Sequence, residues 1–165
     1  MPSKKNYKTF GEYLKHEYQG PYCATDIIIR HDDGKKEGVV IIDRKNFPLG
    51  LALPGGIGER MDLYENAVKE GDEETGLERI ILDDPKRPLC VLSGLSDDPR
   101  AHIASITYTA KGYGVLKPRE EEDAIGAYIY TIPELRELIK KKDVWAFDRH
   151  REILKIYFEH VGEHL

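Results

Sequence analysis

Apolar positions along the chain change their spacing several times, and each change marks an element. Residues 9–18 place Phe10, Tyr13, Leu14 and Tyr18 at helical intervals, with Thr9 positioned to cap and Glu12 to close a capping box. Gly20-Pro21 ends that helix. Strand-like segments follow at 22–31, 38–43 and 51–53, separated by Asp32-Asp33-Gly34 and by Asn46-Phe47-Pro48. A Gly-Gly turn at 55–56 leads into a helix over 63–75. Further strands are predicted at 80–83, 89–93, 103–111 and 125–131. Two helices close the chain. The first, over 133–142, starts with Pro at a first-turn position, and the second, over 148–164, carries Ile153, Leu154, Ile156, Tyr157 and Val161 on one stripe. Mixed strands with a central helix and terminal helices predict a layered α/β or α+β domain.

Composition narrows the function classes. The chain has 165 residues, 40% of them hydrophobic, which suits one domain with its own core. No repeat, low-complexity tract or Ser/Gly linker divides it. Its apolar runs fall far short of the ~20 residues a membrane helix needs. The opening Met1–Lys8 is basic with no apolar stretch behind it, so no secretory signal is expected. Cys23 and Cys90 suggest neither a disulfide framework nor a metal-ligand spacing, and both read as inert core residues. A reduced, cytoplasmic protein is the expectation. With 25 basic and 30 acidic side chains the net charge is −5, which lacks the electrostatic footprint of nucleic-acid binding. A small anionic substrate remains compatible, because clustered acids can recruit a divalent cation that meets phosphate.

The helix over 63–75 breaks local rules. Asp62 with Glu65 reads as a capping box, and Gly76 stops the far end. Glu70, Asp72, Glu73 and Glu74 nevertheless crowd the C-terminal turns, where the helix dipole disfavours anions by about 0.3–1 kcal/mol each. Gly71 costs roughly 1 kcal/mol against Ala. Several violations together point to a site. Glu70, Glu73 and Glu74 stand at i, i+3 and i+4, so their carboxylates share one helix face. Three hard oxygen donors there suit Mg²⁺ or Mn²⁺, whereas a solvated acidic face is the plain structural alternative.

These residues resemble the Nudix hydrolase signature, G-x5-E-x7-R-E-U-x-E-E-x-G-U with U a bulky apolar residue. Aligned from its end, the chain keeps Glu70, Glu73, Glu74, Gly76 and Leu77, and Leu53-Pro54-Gly55-Gly56 is similar to the usual lead-in. Lys69 replaces the motif Arg, Gly71 the apolar residue, and Met61 stands where the first Glu belongs, with Glu59 a candidate substitute for it. Asp97-Asp98-Pro99-Arg100-Ala101-His102-Ile103 with Ser105 is similar to the D-P-R-x-H-x-x-S stretch of the ADP-ribose pyrophosphatase branch. Trp145-Ala146-Phe147-Asp148 and Glu152-Ile153-Leu154 resemble the start of that branch's C-terminal helix. The resemblance runs from about residue 22 to 155, leaving 1–21 as an N-terminal helical extension and 22–165 as a single domain.

The resemblance implies a Nudix-type α/β/α sandwich with a mixed β-sheet and a loop–helix–loop metal site. It implies metal-dependent hydrolysis of a nucleoside diphosphate linked to another moiety, with ADP-ribose giving AMP and ribose 5-phosphate. Glu70, Glu73 and Glu74 would hold Mg²⁺ or Mn²⁺ together with a carbonyl from Gly55-Gly56, and Glu73 would also be catalytic. A general base is expected from the acidic run at 120–123, with Glu121 or Glu122 as the candidate, since the branch's usual Glu position holds Gly126. Arg44, Arg100 and His102 are the candidate substrate contacts, although for Arg100 a surface salt bridge with Asp97 or Asp98 is the plainer reading. A homodimer is also implied, and Tyr7, Phe10 and Tyr13 on the extension suit its interface. Two alternatives stay open: a pyrophosphatase of oxidised nucleoside triphosphates, and a Nudix-fold sensor that binds ADP-ribose or a nucleotide without cleaving it.

Overall fold

The computed structural model describes residues 6–119 and 121–163. Met1 to Lys5 of the basic opening, Glu120 of the acidic run, and His164 and Leu165 at the end of the last predicted helix lie outside the described residues.

Helix α1 (Phe10–His16) comes first, with the Thr9 hydroxyl accepting the Glu12 N–H as the capping pattern requires. Strand β1 (Tyr22–Asp32) follows, then β2 (Glu37–Arg44), β3 (Gly50–Ala52) and β4 (Gly55–Ile57). Helix α2 (Leu63–Thr75) leads into β5 (Arg79–Leu82), β6 (Cys90–Leu92), β7 (Ile103–Tyr113) and β8 (Ala124–Tyr130). Helix α3 (Ile132–Leu138), a 3-10 turn (Lys142–Val144) and helix α4 (Asp148–His160) complete the order.

All eight strands join one mixed sheet. β1 lies at its centre, parallel to β7 on one edge. On its other edge β1 pairs antiparallel with β2 through Arg30–Asp32 and with β4 through Ala24–Asp26. Strand β8 covers the far edge of β2, and β5 and β6 share the far edge of β7.

Buried clusters on either side of the sheet show that both of its faces are covered. Alternate residues of a strand point to opposite faces. Ile27, Ile29 and Val40 accordingly pack with Ala67 of α2, whereas Ile28, Val39 and Ile41 pack with Leu135 and Ile139 of the α3 region and with Ile153, Leu154 and Phe158 of α4. The result is the expected α/β/α sandwich. Burial on both faces also explains why β1 and β2 read as continuous apolar runs rather than alternating ones.

Several local expectations need correction. The Gly55-Gly56 pair is a short strand, not a free turn, because it hydrogen-bonds along β1. Asp62 occupies the N-cap position of α2, yet its side chain makes no capping bond. The predicted 133–142 helix is shorter at its C-terminal end and gives way to the 3-10 turn. At its start, Thr131 and Glu134 form a reciprocal capping box. Cys23 is exposed rather than in the core, since it precedes the stretch of β1 that the helices cover. No helix among the described residues is long and apolar enough to cross a membrane.

Candidate functional site

A cleft of about 170 Å³ opens where β4, the last turns of α2 and the first turn of α4 converge. Helix α2 ends beside it, where Gly76 adopts a left-handed conformation with φ of 68° and stops the helix after Thr75.

One wall of the cleft is acidic. Glu74 is 2% exposed, and its Oε2 accepts the Gly55 N–H at 2.8 Å. Burial pushes its carboxyl up to about 8, and Glu70 and Asp123 push the same way, outweighing the Gly55 N–H and Arg44. Glu70 is raised too, chiefly by burial, with Lys69 opposing. Its carboxyl carbon lies 2.5 Å from where a Cβ on Gly56 would stand, so a larger residue there would push the Glu70 carboxyl aside.

Glu73 is on the same helix but does not line the cleft. Lys69 holds it at 2.9 Å, reaches Glu59 at 3.0 Å and stands 3.9 Å from Glu70. The expected three-carboxylate face is therefore split: Glu70 and Glu74 line the cleft, and Glu73 is turned to its i−4 lysine. Glu59 meets the same lysine and is likewise outside the cleft. Among the described residues no three His, Cys, Asp or Glu side chains are grouped to hold a metal ion. Glu70 and Glu74 still fit one, since two hard oxygen donors with raised proton affinity in one cleft favour a small divalent cation.

Three arginines gathered around Phe147 also line the cleft. The guanidinium carbons of Arg44, Arg100 and Arg149 stand 5.3, 5.2 and 5.3 Å from its ring centre. Arg44 donates to the Pro48 carbonyl at 2.9 Å and pairs with Asp123. Arg100 grips Asp98 with Nε at 3.0 Å and Nη2 at 2.8 Å, while Arg149 Nη2 reaches the same carboxylate at 2.9 Å. Asp98 is buried, and burial would raise its carboxyl, but both arginines hold it below the usual range. The Arg100 salt bridge is thus real, with a buried partner instead of a surface one.

Asp26 and His150 line the cleft as well. His150 Nδ1 accepts the Leu53 N–H at 3.0 Å, so the ring proton sits on Nε2, which faces Asp26 Oδ1 at 3.3 Å. Ser105 donates to the other Asp26 oxygen. Burial alone would raise the Asp26 carboxyl, but His150, Ser105 and Arg149 outweigh it and keep it low.

Of the remaining candidates, Glu122 lines the cleft and Glu121 does not. Gly126 pairs with Asp43 in the sheet and contributes no carboxyl. His102 also falls outside: its Nε2 lies 2.9 Å from Ser93 Oγ, and its carbonyl accepts the Tyr22 N–H. Sequence reasoning missed Asp26, Asp123, Phe147, Arg149 and His150. A carboxylate inside the apolar run 24–29 was a visible signal for Asp26. Arg149 and His150 carried none beyond their place at a helix start.

No protein-family model matches the chain, and no curated protein matches it in sequence. Solved structures do. The Nudix domain of NrtR from Shewanella oneidensis, complexed with ADP ribose, is 19% identical, with 93% of this chain and 99% of that one covered and a TM-score of 0.67. A MutT/nudix family protein from Enterococcus faecalis is 23% identical over 93% of this chain and 70% of that one, with a TM-score of 0.69. A bifunctional NMN adenylyltransferase/ADP ribose pyrophosphatase from Francisella tularensis, complexed with AMP and a manganese ion, is 16% identical. It is matched over 91% of this chain and 44% of its own length, with a TM-score of 0.65. The likeness at these identities is one of fold, and the chain has the Nudix fold.

Proposed function

We propose that the chain is a divalent-metal-dependent hydrolase of nucleoside diphosphate derivatives, with ADP-ribose as substrate and AMP and ribose 5-phosphate as products. One observation carries this reading: the carboxylates Glu70 and Glu74 and the three arginines Arg44, Arg100 and Arg149 line one small cleft. A pyrophosphate with its cation matches that pattern, because the carboxylates attract the cation and the guanidinium groups attract the phosphate oxygens. Two of the similar structures are named for ADP ribose or its pyrophosphatase, which supports this choice of substrate.

Glu70 and Glu74 are the residues to hold Mg²⁺ or Mn²⁺, and Glu73 joins them once it parts from Lys69. The bound ion would neutralise phosphate oxygens and lower the pKa of a coordinated water. Gly55 and Gly56 leave room for the Asp26 and Glu70 carboxylates that border the cleft. Arg44 and Arg100 orient the diphosphate. Glu122 accepts the proton of the attacking water as its oxygen bonds to one phosphorus. The bridging P–O bond then breaks, and the second phosphate leaves with the bridging oxygen.

A second reading rests on Glu73 and Gly126. With one carboxylate held by Lys69 and none at position 126, the same cleft suits a protein that binds ADP-ribose without cleaving it. Incubation with ADP-ribose and Mg²⁺ separates the two. AMP formation that a chelator abolishes supports the hydrolase, and saturable binding without AMP supports the sensor.

Self-association belongs to the same proposal. Helix α1 buries none of its residues, and Phe10 stacks on Tyr13 at 6.0 Å on an open surface. A second copy of this chain is the proposed cover for it. A monomeric mass in light scattering would remove this element and leave the hydrolase reading in place.

A further inference from the structure

Arg149 is buried more completely than its bonding warrants. Its side chain is 5% exposed, yet only Nη2 has a partner, the shared carboxylate of Asp98. Nε and Nη1 are enclosed and make no hydrogen bond. Buried donors left unpaired are disfavoured, so a site that keeps two of them on a permanent cation has a ligand to receive them.

The donor type says what that ligand is, since a guanidinium with free N–H groups suits the oxygens of a phosphate. Asp98 is shared between Arg100 and Arg149, which leaves Arg149 with only one of its donor groups engaged. Arg44 is balanced separately by Asp123. Asp26 feels the Arg149 charge, but its oxygens are engaged by Ser105 and His150. Arg149 sits in the first turn of α4, where the helix dipole also favours an anion. Its cleft is shared with Glu70 and Glu74, so an anion bound here shares the cleft with the proposed cation site.

We infer that Arg149 binds the second phosphate of a nucleoside diphosphate and makes the site prefer diphosphates over monophosphates. The inference deepens the proposed function and rests on it for the identity of the ligand. Phe147 holds the guanidinium by its ring face, and Asp98 fixes one edge, leaving the remaining donors presented to phosphate oxygens. The first phosphate and its cation stay with the α2 wall.

The test compares AMP with α,β-methylene-ADP, a diphosphate that hydrolysis at the bridge cannot consume. Affinities are measured by calorimetry in Mg²⁺ for the wild type, Arg149→Met and Arg149→Lys, while ADP-ribose turnover by the wild type is followed in parallel. The wild type should favour the diphosphate by about tenfold or more. Arg149→Met should lose about ten- to a hundredfold for the diphosphate, the range of a charged hydrogen bond, with AMP changed less than about twofold. Arg149→Lys should restore part of the loss, and it keeps the test open if the Met variant does not fold. Equal losses for both nucleotides, or no loss in either variant, would overturn the inference. If the wild type turns over ADP-ribose but shows no Arg149-dependent preference, this inference falls and the hydrolase stands. If the wild type neither turns over ADP-ribose nor binds either nucleotide, both fall.

Discussion

Glu74 Oε2 accepts the backbone N–H of Gly55 at 2.8 Å, which ties the end of α2 to the strand across the cleft. That one donor does not offset the burial of the carboxylate, whose pKa is pushed up to about 8. The folded chain therefore keeps a proton that the unfolded chain releases near 4.5. Stability of the metal-free protein should fall as pH rises between about 4.5 and about 8, with the penalty fully present above that window. Glu74→Gln removes the penalty, so its melting temperature should exceed the wild type's by several degrees at pH 8.5 in chelator. The two should converge at pH 4. Thermal melts across this range check the sign, and a Gln variant that is less stable at pH 8.5 would contradict it.

Asp98 should show the opposite dependence. It is buried, held low by Arg100 and Arg149, and contributes stability that is lost only as acid protonates it. Asp98→Ala leaves two guanidinium groups without their carboxylate and should cost about 3–5 kcal/mol at neutral pH, the range for breaking a buried pair. Urea unfolding measures it. A loss below about 1 kcal/mol would show that the arginine wall does not depend on Asp98.

Gly76 is fixed by backbone shape. Its φ is 68°, and a Cβ there would overlap the Lys117 carbonyl oxygen. Gly76→Ala should therefore cost more than the roughly 1–2 kcal/mol of left-handed strain alone. Because Glu73 and Glu74 lie just before this turn, Mg²⁺ affinity should weaken in the same variant. Calorimetric Mg²⁺ titration beside urea unfolding reads both effects.

Much of this architecture is readable in the sequence because its signals are local. The run Ile27–Ile29 is apolar on consecutive residues since helices cover both sheet faces, and Thr9, Gly76 and Pro133 punctuate helices by their own geometry. Glu70 and Glu74 follow from helical spacing in the same way. The parts that stay hidden depend on contacts between distant segments. Gly55–Ile57 becomes a strand only because Ala24–Asp26 lies beside it. His150 meets the N–H of Leu53, 97 residues earlier in the chain, and Arg149 is its neighbour at the start of α4. Glu73 follows the helical spacing too, but Lys69, one turn earlier, decides where its carboxylate points.

Lys69 offers a direct test of that last point. It is about one-third exposed, and its pairs with Glu59 and Glu73 are of the kind worth less than about 1 kcal/mol. Lys69→Gln should leave stability within that limit. It should raise Mg²⁺ affinity severalfold, since it frees Glu73 and removes a cation 3.9 Å from Glu70. Unchanged or weaker Mg²⁺ binding would show that Glu73 takes no part in holding the ion.

The most direct measurement is AMP release from ADP-ribose in Mg²⁺ by the wild type and by Glu74→Gln, with ADP-ribose binding measured on both. The wild type should release AMP and ribose 5-phosphate in equal amounts. The variant should lose at least a hundredfold in turnover, with the fold and the arginine wall intact. Wild-type turnover that survives both the substitution and a chelator would contradict the metal site at Glu74. Binding of ADP-ribose by the wild type with no AMP formed would contradict hydrolysis itself.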